Sequence, residues 1–208
     1  MLGRVAVVTG RPAAFVRRHL DDPRIVVVGQ YGLERDDGAG VRTDPRVDAY
    51  ADAVAAAAAD AERRFPRLSV ERKGRVAVTL HWRTVPTAAP AEAELAAWAA
   101  AHGLARFPGR MASELRPPLA VDKGTAVAGL LAAGGCAAAA FVGDDHGDLA
   151  AFAAIAAWAG AGTGRVALRV AVASEESPPA LLAAADLVVE GPGVLVRDLA
   201  GLAGALAA

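Results

Sequence analysis

The chain has 208 residues, with 22 Lys and Arg, 23 Asp and Glu, and a formal net charge of −1. This near-neutral balance gives no reason to expect nucleic acid or an anionic membrane surface as a partner. Hydrophobic residues make up 54% of the chain and aromatic residues only 5%. That composition excludes wholesale disorder and predicts a core built mainly from Ala, Val and Leu.

Two scarce residue types guide the search for a site. The single cysteine, Cys136, excludes an internal disulfide and fits a reducing compartment such as the cytoplasm. We expect it to be a small buried hydrophobic residue. The basic residues are almost all Arg, with Lys only at Lys73 and Lys123. Because Lys is a compact point charge and Arg a broad planar fork, these two surviving lysines are candidates for function.

The first 32 residues predict two strands joined by a helix. Residues 4–8 and 25–28 are short apolar runs, typical of parallel strands that are covered on both faces. Between them, Pro12 is suited to the first turn of a helix, which we expect over residues 12–20.

The pattern of apolar and polar residues changes over residues 33–113, and this pattern predicts an α+β unit. A polar turn over residues 35–40 precedes a helix over residues 45–65. Two hairpins follow, separated by a second helix. We expect the first hairpin at 68–73 with 75–81, the helix at 91–102 and the second hairpin at 104–107 with 110–114.

Residues 114–208 return to strand–helix alternation, which predicts a parallel sheet with right-handed crossovers. The expected strands are 137–142, 166–172 and 187–189, and the expected helices are 123–133, 148–159, 178–185 and 193–206. We therefore predict one discontinuous doubly wound α/β domain, formed by residues 1–32 and 114–208, into which residues 33–113 are inserted. Residues 126–143 are uncharged, but their Ala and Gly content favours a buried helix and strand over a membrane span.

Two short motifs lie where doubly wound folds bind ligands, at the ends of strands and the starts of helices. Thr9-Gly10-Arg11 closes the first strand, and its hydroxyl and backbone N–H groups can hold phosphate oxygens. A plain strand-to-helix turn is the alternative. Lys123 begins a helix and can neutralise a phosphate group, whereas a solvated surface lysine is its alternative.

A third motif places Asp144, Asp145 and Asp148 on the loop after an apolar strand. Three carboxylates so close together favour a cation, and hard oxygen ligands suit Mg²⁺. The alternative is an N-cap, Asp148, beside solvated loop acids. We interpret His146, in the same loop, as a loop residue and not as a metal ligand.

In this order the motifs resemble those of the haloacid dehalogenase superfamily of phosphotransferases and, within it, the trehalose-6-phosphate phosphatase family. Thr9-Gly10-Arg11 resembles that family's Ser/Thr-Gly-Arg, and residues 29–34 resemble its Gly-x-His-Gly-x-Glu, with Tyr31 in place of His. Residues 143–149 resemble its Gly-Asp-Asp-x-Thr-Asp-Glu, with Gly147 and Leu149 at the Thr and Glu positions. Further resemblances are Glu71-x-Lys73, His81-Trp82-Arg83, Glu114-Leu115-Arg116-Pro117 and Lys123-Gly124.

The resemblance implies a Rossmann-like core with a type-2 cap, and a Mg²⁺-dependent phosphohydrolase that converts trehalose 6-phosphate to trehalose. A trehalose-phosphate synthase is an implied partner. The implied catalytic residues are Thr9, Arg11 and Lys123, and the implied metal ligands are Asp144, Asp145 and Asp148. The implied sugar-binding residues are Glu71, Lys73, His81, Arg83 and Glu114.

One part of the family pattern does not occur in the sequence. The family's nucleophile lies in Asp-x-Asp-Gly-Thr on an upstream strand, and no Asp-x-Asp-x-Thr is present in the chain. We therefore expect the first core strand to be missing, with Met1 a misassigned start or a truncation point. Two other functions stay open, a catalytically inactive sugar-phosphate-binding or regulatory module and a related capped sugar phosphatase.

Overall fold

The computed structural model describes residues 3–207. Its strands are β1 (Ala6–Val8), β2 (Val26–Gly29), β3 (Glu34–Asp36), β4 (Arg42–Thr43), β5 (Ser69–Lys73), β6 (Ala77–His81), β7 (Ala105–Gly109), β8 (Ala112–Arg116), β9 (Ala138–Gly143), β10 (Val166–Ala173) and β11 (Leu187–Glu190). Its helices are α1 (Ala13–Arg17), α2 (Ala51–Arg64), α3 (Glu92–Ala101), α4 (Lys123–Ala132), α5 (Asp148–Gly160), α6 (Pro179–Ala184) and α7 (Gly191–Ala207).

The N-terminal sheet has the order β1-β2-β3-β4. β1 and β2 are parallel, and β3 and β4 continue the sheet antiparallel to them. β2 has a neighbour on both sides and is buried along its whole length. The predicted polar turn is wrong at its start, because β3 extends to Asp36, which pairs with Val27. Residues 34–43 therefore share a sheet with β2.

The C-terminal strands form a parallel sheet of order β11-β10-β9, as their alternation with helices predicts. α5 and α6 cover one face of this sheet through a small cluster of Phe152, Ala171 and Leu181. Phe141 on β9 meets Phe152 edge to face, with ring centroids 6.1 Å apart. The predicted α/β class with parallel strands is confirmed.

Residues 69–116 contain the inserted sheet, of order β5-β6-β8-β7 and antiparallel throughout. α2 and α3 pack on it around Trp98, which is fully buried. The Trp98 indole N–H donates to the Ala57 carbonyl at 3.1 Å, so the polar atom of this large ring is satisfied inside the core. The predicted helix at 91–102 and both predicted hairpins are present.

Three local predictions differ from the structure. The helix expected over residues 12–20 is shorter, ending at Arg17. The helix expected over residues 45–65 begins as a 3₁₀ turn, Pro45–Tyr50, before α2. Cys136 is exposed and not buried, because it lies in the connection between α4 and β9, just after Gly134 and Gly135. Within the described residues, no helix combines the length and apolar character that a membrane crossing requires.

Candidate functional site

One cavity of about 450 Å³ opens where the carboxyl ends of β1 and β9 face the inserted unit. Nine of the eleven predicted site residues line it, and two do not. Arg83 is exposed beyond the end of β6, and Glu114 lies behind Lys73. The lining residues are Val7, Val8, Thr9, Gly10, Arg11, Tyr31, Glu71, Lys73, His81, Lys123, Val142, Gly143, Asp144, Asp145 and Asp148.

The loop after β1 presents the hydroxyl of Thr9 to this cavity. The Thr9 N–H donates to the Val28 carbonyl at 2.9 Å, which fixes the loop against β2. The Thr9 hydroxyl oxygen accepts from the Arg11 N–H at 3.1 Å, a local turn that Ser and Thr favour. In the described part of the chain the hydroxyl proton has no acceptor, so Thr9 can offer it to an oxygen of a ligand.

Tyr31 forms a wall of the cavity in a strained backbone conformation. Gln30 and Tyr31 both have positive φ, 51° and 60°, which is uncommon for residues with a Cβ. The ring lies so close to Gly10 that a Cβ there would sit 2.5 Å from Tyr31 Cζ. The Arg116 guanidinium is 4.3 Å from the centre of this ring and 3.5 Å from that of Phe107. Burial raises the pKa of Tyr31, so its hydroxyl stays neutral.

Lys123 stands at the first position of α4 and is buried. The helix start is fixed by Asp122, whose carboxylate accepts from the Thr125 N–H at 2.7 Å. The Lys123 ammonium donates to Asp148 Oδ1 at 2.8 Å and to Asp145 Oδ1 at 3.2 Å. Burial lowers the pKa of Lys123, but these two carboxylates outweigh it and raise the pKa above its ordinary value. The ammonium is therefore charged at neutral pH.

The acidic loop is held together by Asp148. Its Oδ2 accepts from the N–H groups of Asp144 and Asp145 at 2.9 and 3.0 Å, while its Oδ1 accepts from Lys123. Gly143 permits this arrangement, because a Cβ there would lie 2.5 Å from Asp148 Cβ. Both Asp148 oxygens are thus engaged by the protein, whereas the exposed carboxylate of Asp144 has no partner within residues 3–207.

The acidic loop fits a divalent cation. One carboxylate oxygen from each of Asp144, Asp145 and Asp148 can be chosen so that the three lie within 4.8 Å of one another. Asp144 and Asp145 are exposed towards the cavity, as a ligand set open to a substrate requires, and both offer hard oxygen donors. The residues present therefore match the chemistry of Mg²⁺.

The inserted unit contributes a second polar cluster on the opposite wall. Lys73 and Glu114 form a buried ion pair of 2.5 Å, and the Thr79 hydroxyl donates to the same Glu114 oxygen at 3.0 Å. His81 Nε2 is 2.9 Å from Glu71 Oε2, and Arg11 donates to Glu71 Oε1 at 3.4 Å. Burial raises the pKa of Glu71, but the His81 hydrogen bond and the charges of Lys73 and Arg11 lower it overall.

Gln30 and Glu34 shape this site but are not among the eleven predicted site residues, although both lie in the motif of residues 29–34. Gln30 is buried and donates to the Lys73 carbonyl at 3.2 Å, so it ties the core loop to the inserted unit. Its being the only Gln in the chain was the available signal. Glu34 accepts from the Ala13 N–H at 2.7 Å and so satisfies the start of α1. Both side chains position the loop that carries Tyr31.

The chain is similar to known proteins in sequence and in fold. The trehalose-phosphatase family profile matches residues 3–180. The chain is similar to the crystal structure of a trehalose-6-phosphate phosphatase related protein, with 22% identity and a TM-score of 0.72 over 98% of this chain and 82% of that one. It is also similar to the C-terminal domain of C. albicans trehalose-6-phosphate phosphatase, with 19% identity and a TM-score of 0.72 over 97% and 78%.

A third similar structure is the C-terminal domain of a Candida albicans trehalose synthase regulatory protein. Its identity is 11% and its TM-score 0.67, over 92% of this chain and 79% of that one. At these identities the structural likenesses establish the fold. No curated protein matches the sequence.

Proposed function

The chain belongs to the trehalose-phosphatase family, and from that premise we propose that its cavity binds trehalose 6-phosphate and that the complete site hydrolyses the phosphate ester with Mg²⁺. The observation that carries this proposal is the polarity of the cavity. Lys123 and Thr9 lie at one end beside the acidic loop, and the polar cluster of Glu71, Lys73 and His81 lies at the other. Such a cavity has separate places for a phosphate group and for sugar hydroxyls.

At the phosphate end, the ammonium of Lys123 would neutralise phosphate oxygens and the Thr9 hydroxyl would donate a hydrogen bond to one of them. Arg11 is exposed at the rim, where its guanidinium can meet the same group. Asp148 holds Lys123 in place through the 2.8 Å ion pair, which makes Asp148 a positioning residue in this proposal.

Asp144 and Asp145 would hold Mg²⁺, with Asp148 directly behind them. When bound, Mg²⁺ would supply Lewis-acid stabilisation of the charge on the phosphate oxygens. The free carboxylate of Asp144 suits the role of ligand best, because Asp145 already accepts from Lys123 and from the Asp148 N–H.

At the sugar end, Glu71 offers a hydrogen-bond acceptor to hydroxyl groups, and His81 offers a donor or an acceptor. Lys73 is held in place by its ion pair with Glu114. A disaccharide needs such an array of polar groups, because each hydroxyl that is removed from water requires a partner. Arg83 was predicted for the same role but lies outside the cavity. A comparison of His81 and Arg83 variants therefore tests the geometry.

A second function, a sugar-phosphate-binding regulatory module without catalysis, is favoured by one observation. The sequence contains no Asp-x-Asp-x-Thr, so the 208 residues do not supply the nucleophile that the family uses. The likeness to the C-terminal domain of a protein named as a trehalose synthase regulator supports a trehalose-phosphate synthase as partner. We expect the 208-residue protein alone to bind the sugar phosphate without turnover.

Isothermal titration of the 208-residue protein with trehalose 6-phosphate, with and without Mg²⁺, tests the proposal. Binding is expected to be at least about tenfold tighter than that of trehalose or of inorganic phosphate alone, since both ends of the cavity contribute. Absence of heat at millimolar ligand would contradict it. Phosphate release that disappears in Asp144→Ala would instead exclude the non-catalytic alternative.

Two matched pairs of variants assign the ends of the cavity. Lys123→Met is expected to weaken binding by about tenfold or more, whereas Lys123→Arg keeps the charge and loses less. His81→Ala is expected to weaken binding of trehalose 6-phosphate but not of inorganic phosphate, and Arg83→Ala neither. Circular dichroism of each variant verifies that it is folded. A larger loss for Arg83→Ala than for His81→Ala would contradict the proposed sugar end.

The domain division that we propose is residues 1–32 and 114–208 for the core and 33–113 for the cap. The pairing of β3 with β2 makes residues 34–43 the part of this boundary that most needs a test, for example by limited proteolysis. We also propose a cytoplasmic location, because the exposed thiol of Cys136 is compatible with a reducing compartment.

A further inference from the structure

We propose that the Tyr31 hydroxyl is a further ligand-contacting group of the cavity, and that it donates a hydrogen bond to a sugar phosphate where the ester joins phosphate and sugar. Through this contact Tyr31 selects the whole ester over phosphate or sugar alone. The inference rests on the proposed function and adds one residue to the same site. Since the family pattern has His at this position, the contact belongs to this chain and is not carried over by resemblance.

The backbone that carries Tyr31 is strained and firmly held. Gln30 and Tyr31 have φ angles of 51° and 60°, in the left-handed region that favours glycine. The Gln30 N–H donates to the Arg11 carbonyl at 3.0 Å, and the Tyr31 N–H donates to the Thr9 carbonyl at 2.9 Å. Residues kept in strained conformations by surrounding contacts cluster at ligand sites, so the loop indicates that the Tyr31 side chain is used where it stands.

The ring of Tyr31 is held in place by its neighbours. A Cβ on Gly10 would lie 2.5 Å from Tyr31 Cζ, so the ring packs directly on this glycine. The guanidinium carbon of Arg116 lies 4.3 Å from the centre of the Tyr31 ring and 3.5 Å from that of Phe107. Arg116 is buried, and its Nη1 has no hydrogen-bond partner among the described residues, so cation–π contacts help to hold it. The phenol is therefore positioned before a ligand arrives.

The hydroxyl of Tyr31 is free to donate into the cavity. Tyr31 and Gly10 both line the cavity, and a Cβ on Gly10 would lie 2.6 Å from the Tyr31 hydroxyl oxygen. Within residues 3–207 no group accepts the hydroxyl proton. Burial and the nearby charge of Glu114 raise the pKa of Tyr31, so the hydroxyl keeps its proton at neutral pH. A neutral phenol is a hydrogen-bond donor that an oxygen of a ligand can use.

The phenol lies between the two ends of the cavity. The charge of Lys123 lowers the pKa of Tyr31 and that of Asp145 raises it, and both residues belong to the phosphate end. The charge of Glu114, which lies behind the sugar end, raises the same pKa. A ligand with its phosphate beside Lys123 and its sugar beside His81 must therefore pass Tyr31. The part of the ligand that it passes there is the ester linkage.

This position makes the hydroxyl a test for the intact ester. Inorganic phosphate at one end, or a sugar at the other, can bind without reaching Tyr31. A sugar phosphate spans both ends and leaves an ester oxygen opposite the phenol. One such hydrogen bond changes a dissociation constant by about tenfold, which is enough to favour the whole ester over its parts.

The experiment compares two variants that each remove one hydroxyl and keep the ring. Tyr31→Phe retains the contacts with Gly10 and Arg116, and isothermal titration should show trehalose 6-phosphate binding that is weaker by about tenfold. Binding of inorganic phosphate should change by less than about twofold. The urea midpoint should not move, because the hydroxyl has no partner within the described residues. Tyr50→Phe is the matched control, since Tyr50 packs against the core of the inserted unit, and it should bind both ligands as the wild type does.

A spectroscopic measurement reports on the contact directly. The chain contains two tyrosines, so protein labelled with ¹³C at tyrosine Cζ gives two signals, which Tyr31→Phe and Tyr50→Phe assign. Saturating trehalose 6-phosphate should move the Tyr31 signal, because Cζ carries the hydroxyl that donates. The Tyr50 signal should stay where it is, and saturating inorganic phosphate should leave both signals unchanged.

The outcomes separate this inference from the proposed function. Should the wild type bind trehalose 6-phosphate while Tyr31→Phe binds it equally well and the Tyr31 signal stays still, the inference is wrong and the proposed function stands. An equal loss for inorganic phosphate would place the hydroxyl at the phosphate end and overturn the selection of the ester. A lower urea midpoint for Tyr31→Phe would reveal a structural role instead. Absence of binding by the wild type would overturn both proposals.

Discussion

The inserted unit and the parallel-strand half bury their strands in different ways. In the inserted sheet, β6 has neighbours on both sides and four of its five residues are buried beneath the Trp98 cluster. In the parallel half, β9 is at least as apolar in sequence, but of its six residues only Gly143 is buried, because among the described residues β10 is its one paired neighbour. An apolar run specifies that a strand forms, and its neighbours decide whether that strand is buried.

The largest expected effect that tests this contrast is the loss of the central tryptophan of the inserted unit. Trp98→Ala removes a fully buried ring and its hydrogen bond to Ala57, and should lower the free energy of unfolding by about 3–5 kcal/mol. Trp158→Ala, in the half-exposed part of α5, is the matched control and should lower it by less. Urea denaturation followed by circular dichroism measures both losses. Equal losses would show that the two halves do not differ in how far they bury these tryptophans.

The buried ion pair of the inserted unit comes next. Lys73→Met leaves the buried Glu114 carboxyl with the Thr79 hydroxyl as its one remaining side-chain partner among the described residues, so we expect a loss of about 3 kcal/mol in unfolding free energy. The control is Arg72→Met, one residue before Lys73 in the chain. It breaks the exposed ion pair between Arg72 and Glu62 and should cost less than about 1 kcal/mol in unfolding free energy. Adding Glu114→Gln to Lys73→Met should restore part of the loss, and a purely additive double variant would argue against the pair.

In the parallel half, the acidic loop depends on a glycine. Gly143→Ala introduces a Cβ 2.5 Å from Asp148 Cβ, which forces the loop apart and should cost about 2 kcal/mol. Gly129→Ala, inside α4 and with open space around it, is the control and should stabilise the helix by about 0.5–1 kcal/mol. Both are measured by denaturation, and trehalose 6-phosphate binding should weaken only for Gly143→Ala.

Much of this organisation could be predicted from the sequence, because it depends on local pattern. The change from short apolar runs to hairpins with alternating apolar and polar residues indicates the inserted unit. Lys123 and the acidic loop can be recognised as site candidates from their residue types and their order in the chain. Nine of the predicted site residues line one cavity for that reason.

The rest depends on long-range contacts that no local pattern encodes. Arg83 lies two residues after His81 in sequence but outside the cavity, because its position depends on how the chain turns after β6. The burial of Gln30 follows from its contact with Lys73, 43 residues away. Cys136 is exposed because it lies in the connection between α4 and β9 and not in a strand. These features could not be predicted without knowing how the inserted unit and the parallel-strand half pack together.

A smaller effect concerns pH and the edge of the N-terminal sheet. Burial raises the pKa of Asp36, but the Gly38 N–H and the Arg17 guanidinium, at 2.8 and 3.0 Å, hold this pKa below its ordinary value overall. A carboxyl whose pKa is lower in the folded state stabilises the protein above its ordinary pKa, and that stabilisation disappears as the pH falls through the folded value. Asp36→Asn should therefore cost about 1 kcal/mol at neutral pH and less at pH 2.

Thermal denaturation between pH 7 and pH 2 measures this difference. The exposed Asp52→Asn is the control and should leave the curve unchanged. A wild type and an Asp36→Asn variant that lose stability in parallel over this range would show that the β3 edge does not depend on the ion pair.

The smallest expected effect returns to the two kinds of strand. Val166→Thr replaces a methyl group by a hydroxyl on the uncovered face of β10, where the side chain is 61% exposed, and should change the unfolding free energy by less than about 0.5 kcal/mol. Val78→Thr makes the same change in β6, where the side chain is fully buried, and should cost about 1–3 kcal/mol, since the hydroxyl has no partner there. Both are measured by urea denaturation. Equal losses would show that the face that carries Val166 is covered in solution. The two halves would then not differ in how far their strands are buried.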